Sequence, residues 1–425
     1  MTHAHIRGFT HSYGCGLRMG LLPSATGIDS ETRSLMISSV LRAFPGGFFY
    51  VTMPVYLYLT GLAPTVIGLL FSVQAFVGVA LSIPMAMLAD AFGRRRFVLL
   101  GLLLAVLAYA GFALTPSLYV LLGSMAVLGL SGATSWSPFV AMLAERAQGE
   151  GVKNSVFTLQ AFSAEVISAA GMLCSALPSL LFEGFLGMRH TASFRPMFLL
   201  GAGVYATSFL LVLARTREAK QARAPRGRPL GFRLPRRSMP VIRKLSVLGL
   251  IGLGAGLVLP LLSLWFRLRF SIDLVTITPL FSVMMLATAF ASLLTPRIAK
   301  AKGSVFAIVS TQISSVLLLA LVPLMPDYVL AWLLMVVRNA LMNMGQPIMQ
   351  SFTMSMVHPD ERATAQSIIS TFDAVPRAWG PSIAGYLFSL GELDLPFFLT
   401  AGMYAASVGI FYMLFRRARP SYSAR

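Results

Sequence analysis

Five ionisable side chains interrupt stretches that are otherwise apolar: Arg42, Glu165, Arg338, Asp373 and Arg377. A charge at mid-bilayer costs about 2.5–3.5 kcal/mol on insertion scales, so each is expected to face a partner or water. Asp373 and Arg377 are four residues apart and share one helical face, where they can neutralise each other or line a cavity. Arg338 has no acidic neighbour on its own segment. That segment also carries Asn339, Asn343, Gln346 and Gln350. At about 100° per residue these four fall within roughly 60° of one another. Such a polar stripe points to a cavity, since packing between membrane helices selects Gly and Ala instead. An arginine beside amides can clamp a carboxylate or a phosphate. Glu165 is the lone acid of its segment. It can carry a proton, with Asp373 as the second candidate, or be tied to an arginine such as Arg42.

The elements that must position these groups are membrane helices. Of 425 residues, 56% are hydrophobic and 12% charged, too little polar surface for a soluble domain. A helix needs about 20 apolar residues to cross a bilayer. Twelve segments qualify, near 35–60, 65–89, 97–115, 118–144, 154–182, 196–215, 245–268, 275–296, 304–325, 328–357, 363–391 and 395–415. The net charge of +19 is not a nucleic-acid footprint. Of 34 basic residues, 27 fall in alternate gaps that include both tails, and 4 in the opposite gaps. That asymmetry predicts both termini in the cytoplasm.

The expected division is a tail (1–33), a six-helix bundle (34–215), a basic linker (216–244), a second six-helix bundle (245–416) and a tail (417–425). The linker, rich in Arg and Pro, is expected to meet anionic inner-leaflet lipid. The first tail contains no apolar core of signal-peptide type, so no cleavage is expected. The halves echo each other. "FSVQAFVGVALSIPMAMLADAFG" (71–93) aligns without gaps to "FSVMMLATAFASLLTPRIAKAKG" (281–303), an offset of 210. The same offset places 161–171 opposite 371–381. Internal repeats of this kind place a binding site between the halves near the midplane.

The loop "LADAFGRRRF" (88–97) sits between two apolar runs. Gly93 permits a tight turn. Asp90 can pair with Arg94 or cap a neighbouring helix. Glu145 and Arg146 end the fourth segment on the same side, where they can bridge the halves or serve as solvated helix ends. Asp90, Gly93, Arg94 and Arg95 fit a signature of roughly Gly-x-x-x-Asp-Arg/Lys-x-Gly-Arg/Lys-Arg/Lys, with Ala86 and Ala91 as departures. With twelve segments in two halves, the chain resembles the major facilitator superfamily. The resemblance implies that this loop is a conformational latch holding the outward-open state. It also implies that spans 3, 6, 9 and 12 lie toward lipid while the others surround the cavity. Those four spans hold no internal charge, in keeping with that arrangement. "WGPSIAG" (Trp379 to Gly385) looks like a packing motif of drug:proton antiporters, but it stands in the wrong half and incomplete.

The expected function is a secondary active transporter of a small-molecule substrate, working by alternating access at the plasma membrane as a monomer. Proton coupling and export of amphiphilic compounds form the first reading. The second is an organic-anion transporter using Arg338, Arg42 and Arg377, and a non-transporting receptor is the remote third. No nucleotide-binding motif, cofactor site, metal cluster or nucleophile–base arrangement is read, so no enzyme activity is expected. Cys15 and Cys174 suggest neither disulfide nor metal, and His3, His5 and His11 lie in the tail.

Overall fold

A computed structural model describes residues 29–146, 150–185, 187–188, 191–217, 237–292, 304–358 and 361–415. Its main helices are α1 (Ser30–Leu59), α2 (Pro64–Phe92), α3 (Arg94–Leu114), α4 (Leu118–Arg146), α5 (Glu150–Leu173), α6 (Arg195–Arg215), α7 (Met239–Leu245), α8 (Leu248–Val258), α9 (Leu262–Phe270), α10 (Leu274–Ser292), α11 (Ser304–Leu321), α12 (Tyr328–Met356), α13 (Arg362–Ser389) and α14 (Leu395–Phe415). Among the described residues there is no strand. Ten segments are long and apolar enough to cross a membrane, and Ile308–Leu324 is a shorter apolar helix. Although α13 has 28 residues, it is not among the ten. Its Gln366, Asp373 and Arg377 dilute its hydropathy.

Helix ends follow local chemistry. Asp29 caps α1 by accepting from the Thr32 N–H at 3.0 Å, and Asp327 caps α12 by accepting from the Val329 N–H at 2.9 Å. Gly93 joins α2 to α3 at φ 112°, a region closed to side-chain-bearing residues. The seventh expected span is not one helix. Residues 239–244, expected as linker, are helical in α7, and Pro260 separates α8 from α9 because it has no N–H to continue the ladder.

Packing repeats itself across the chain. In the first half α1 packs on α5 and α6, α3 on α4 and α6, and α2 on α4. In the second half α8 packs on α13 and α14, α11 on α12 and α14, and α10 on α12. The halves meet chiefly through α2 with α13 and α5 with α10. An offset of 210 residues turns α2 into α10 and α5 into α13, so the repeat seen in the sequence exchanges the two seams. Leucines of α3 (Leu103, Leu107), α6 (Leu199, Leu210) and α11 (Leu317) are exposed, as a lipid-facing surface requires.

One end of the molecule carries the turns at Gly61 and Gly391, the other the turn at Gly93. The bundles close on each other at the Gly61 end. There the Thr65 N–H donates to Ser389 Oγ at 2.9 Å, and the Ser382 N–H to Ser72 Oγ at 3.0 Å. Gly68 lies so close to α13 that an added Cβ would collide with the Pro381 carbonyl oxygen. Deeper in the same seam the Phe76 and Trp379 rings sit 4.9 Å apart, edge to face.

At the Gly93 end Glu361 anchors the start of α7, accepting from the Ser238 N–H at 2.8 Å and the Arg237 N–H at 3.3 Å. The Ser238 side chain, then these backbone donors, hold the Glu361 carboxyl below the usual carboxylate range. A depressed value means stability that is present above the unfolded pKa, about 4.3, and is lost as pH falls through the folded value. Glu361→Gln is therefore expected to lower the thermal midpoint at neutral pH, and the gap to wild type should close as pH falls below about 4. A pH-independent gap would contradict the anchor. The check is a pair of melting curves across that range.

Candidate functional site

Three adjoining cavities run through the middle of the molecule. The largest, about 710 Å³, lies in the second bundle and includes Arg338, Asn339, Asn343, Gln350, Asp373 and Arg377 in its wall. The next, about 610 Å³, is bounded by Gln74, Trp136 and Pro260, and Arg377 lines both. The third, about 410 Å³, lies in the first bundle around Arg42, Gln160 and Tyr205, and shares Gln74, Gly132 and Trp136 with the second. From Arg338 the largest cavity runs toward the Gly93 end, past Gln350 and Thr353 on α12 and Gln366 on α13.

Arg338 is 2% exposed. Its guanidinium lies 5.6 Å from the centroid of the Tyr404 ring, and its Nε is buried without a hydrogen-bond partner. Among the described residues no carboxylate pairs with it. A buried, unpaired guanidinium is costly. The Tyr404 ring offsets about 0.5–2 kcal/mol of that, less than an anion supplies. Beside it the Asn339 amide donates to Thr288 Oγ on α10 at 2.7 Å, and the Asn343 amide to the Asn339 carbonyl at 2.9 Å. The stripe thus packs against α10 and lines the cavity at once. Gln350 lines it too, while the Gln346 side chain lies outside the described residues.

Asp373 and Arg377 form the expected pair, with Arg377 Nη2 at 2.8 Å from Asp373 Oδ2 and Nε at 3.1 Å. Both remain partly open to the cavity. Their helix is held there by glycines of α8. A Cβ at Gly252 would collide with the Asp373 carbonyl oxygen, and one at Gly256 with that of Arg377. Only backbone hydrogens let the two helices approach so closely.

Arg42 is not tied to Glu165. Its Nε donates to the Ser38 carbonyl at 3.3 Å, and its guanidinium lies 4.8 Å from the centroid of the Phe139 ring. Among the described residues it also has no carboxylate partner. Glu165 lines none of the three cavities. Helix spacing sets it between Phe162, whose ring lies 6.1 Å from Phe290 of α10, and Ala169, whose carbonyl accepts from Ser282 of α10 at 2.9 Å. It therefore sits at the α5–α10 seam, where its Oε2 is buried and unpartnered.

Several charges at the Gly93 end join helices of the first bundle to one another. Arg94 pairs with Asp90 at 2.7 Å and with Glu145. Arg95 Nη2 donates to the Leu213 carbonyl at 2.7 Å. Arg146 pairs with Glu31 at 3.0 Å and donates to the Arg217 carbonyl at 2.6 Å. Glu145 and Arg146 thus tie α4 to α3, α1 and the end of α6 rather than to the second half. Arg94, Glu145 and Arg146 each meet an opposite charge or an open carbonyl at a helix end of the same bundle. The matching second-half turn, 295–303, lies outside the described residues. Asp90→Asn is expected to leave the protein folded and slow turnover by up to about fivefold, the worth of one exposed ion pair. Unchanged turnover in reconstituted vesicles would remove the latch role.

The lipid-facing helices were expected to leave the cavities alone, and they do not. Gln312 of α11 and Tyr404 of α14 line the largest cavity, and Tyr109 of α3 and Tyr205 of α6 line the third. These four side chains are uncharged and sit singly among apolar residues, so a search for charges passes over them. The polar Gln312 in an apolar segment was the one available signal. The spacing Gly249, Gly252, Gly256 was the signal for the α8–α13 contact.

Comparisons with known proteins agree with this architecture. The family model described as Major Facilitator Superfamily matches residues 35–381. The nucleoside transporter NupG, in a point-mutant form, superposes with a TM-score of 0.76 at 14% identity, over 91% of this chain and 100% of that one. A bacterial homologue of the human lysosomal transporter Spinster, inward-facing and occupied, gives 0.69 at 14% identity, over 91% and 96%. The human organic anion transporter MFSD10 gives 0.62 at 18% identity, over 90% and 99%. No curated protein matches the chain in sequence. These identities speak for the fold alone, but the family model spans most of the chain and agrees with the repeated bundles and the loop at Gly93. On those grounds this multi-pass membrane protein is a transporter that belongs to the Major Facilitator Superfamily.

Proposed function

We propose that the protein is a secondary active transporter of small organic anions, working by alternating access, with Arg338 as the primary contact to the anion. The observation that carries this reading is Arg338 itself: buried, free of any described carboxylate, and set in the wall of a cavity of about 710 Å³. A transporter gains from such a costly group only if a substrate supplies the missing charge. Tight closure at the Gly61 end and a cavity running toward the Gly93 end support a conformation open to one side. By the distribution of Lys and Arg, that side is the cytoplasm, with both termini in it and twelve spans between. The chain supplies both halves of the pathway, so a monomer in the plasma membrane suffices. Anionic lipid at the basic linker belongs to the same reading, though residues 218–236 lie outside those described.

The test is the thermal midpoint of purified protein against carboxylates, phosphates, cations and neutral amphiphiles. A ligand that binds the native state raises the midpoint with its occupancy. Stabilisation by anions is expected, and stabilisation by cations or neutral amphiphiles alone would overturn the reading.

A second reading, proton-driven export of amphiphilic compounds, draws support from Glu165. An acid with an unpartnered oxygen at the α5–α10 seam can exchange a proton as that seam opens and closes. Proton coupling fits either substrate. Glu165→Gln is expected to abolish accumulation driven by a proton gradient while sparing exchange of substrate for substrate. Gradient-driven accumulation that survives the substitution would sink it.

A further inference from the structure

We infer that the transported anion carries two negative charges, one met by Arg338 of the second bundle and one by Arg42 of the first. This rests on the anion reading above and makes its substrate class definite.

Two arginines in the cavity walls lack a carboxylate, and they are treated alike. Arg338 stands over the Tyr404 ring and Arg42 over the Phe139 ring, one in each bundle. The third, Arg377, is neutralised by Asp373. Among the described residues Asp373 is the one acid in the walls of the three cavities, and Glu165 lies outside them. The described walls therefore hold three arginines and one carboxylate. A dianion brings that total to neutrality, whereas a monoanion leaves a positive charge in a cleft that must close within the bilayer.

Depth agrees. At 1.5 Å per residue, Arg338 lies about 15 Å into α12 from the Gly61 end, and Arg42 about 26 Å from the same end of α1. Both are well inside the membrane-spanning part. The cavities between them adjoin through Arg377 and through Gln74, Gly132 and Trp136. A substrate with an anionic group at each end can engage both bundles together. A monoanion can satisfy only one of the two arginines. Dicarboxylates have the required chemistry, whereas a phosphate monoester, with both charges on one group, does not reach two arginines in different cavities.

The experiment measures midpoint shifts of the purified full-length protein. The probes are the straight-chain dicarboxylates from malonate to suberate, their monomethyl esters, methyl phosphate and dimethyl phosphate. At least one dicarboxylate is expected to bind about tenfold or more tightly than its monomethyl ester, the worth of one further charge-assisted contact. A preference for methyl phosphate over dimethyl phosphate, with no dicarboxylate preferred over its ester, would place both charges at one arginine and overturn the two-arginine site. Arg42→Gln and Arg338→Gln should each erase the preference. Arg42→Lys, which keeps the charge, should retain it and so separates lost charge from lost folding. Equal binding of singly and doubly charged probes to wild type, or an undiminished preference in Arg42→Gln, would overturn the inference. If no anion of either charge shifts the midpoint while cations or neutral amphiphiles do, the anion reading itself fails.

Discussion

Leucine in place of Gly68 slows transport about tenfold or more and holds the protein open at the Gly61 end; this is the largest conformational effect expected from the fold. Gly68 is where α2 meets α13, against the Pro381 carbonyl and 3.1 Å from Gly385 Cα as measured from an added Cβ. No side chain fits there while the seam is closed. Overpacking of this kind costs about 1–3 kcal/mol, and the cost falls on the closed conformation alone. Since 1.4 kcal/mol is a factor of ten, the equilibrium should move about tenfold to a hundredfold toward the form open at this end. Spin labels at Thr65 and Ser389, whose side chains touch in the closed form, would report the lengthened distance. Gly402→Leu is the control, because nothing lies within 4 Å of an added Cβ there. A Gly68→Leu protein with normal flux and an unchanged distance would mean that the seam is not the moving part.

The second large effect is at Arg338. Removing one partner of a buried charge pair costs about 2–5 kcal/mol in binding, so Arg338→Ala should weaken a bound anion by about thirtyfold or more. Stability without ligand should move differently. In the empty protein the guanidinium is buried with an unpartnered Nε and no described carboxylate, so its removal relieves a cost and offsets the cavity it leaves. The variant should melt no lower than wild type in the absence of ligand and should fail to respond to anions. Calorimetric titration alongside melting curves separates the two effects. A variant that melts far lower, or that binds anions normally, would make Arg338 a structural group.

Much of this was legible in the sequence for definite reasons. Charges and apolar runs are strong signals in a membrane chain, because lipid tolerates no unpaired polar group. Hence the segments, Arg338 with its stripe and the Asp373–Arg377 pair could be read directly. The repeat at offset 210 was visible because the same helix contacts are built twice. What could not be read was which helix faced which. Glu165 was seen as a lone acid, but its place at the α5–α10 seam depends on Phe162 and Ala169 touching α10. The pairing of Glu145 and Arg146 inside the first bundle depends on where α1, α3 and α6 end. Tyr404 and Gln312 entered the cavity from helices that carry no charge. The break of the seventh span at Pro260 was signalled by the proline but hidden by continuous hydropathy.

The most direct test of the central claim is flux. Purified protein in sealed vesicles preloaded with an unlabelled organic anion, selected by its midpoint shift, should accumulate the labelled anion from outside. The uptake should saturate, and it should vanish with Arg338→Ala. If the wild-type vesicles exchange no anion but move cations or neutral amphiphiles, and Arg338→Ala moves them equally well, the anion account is wrong.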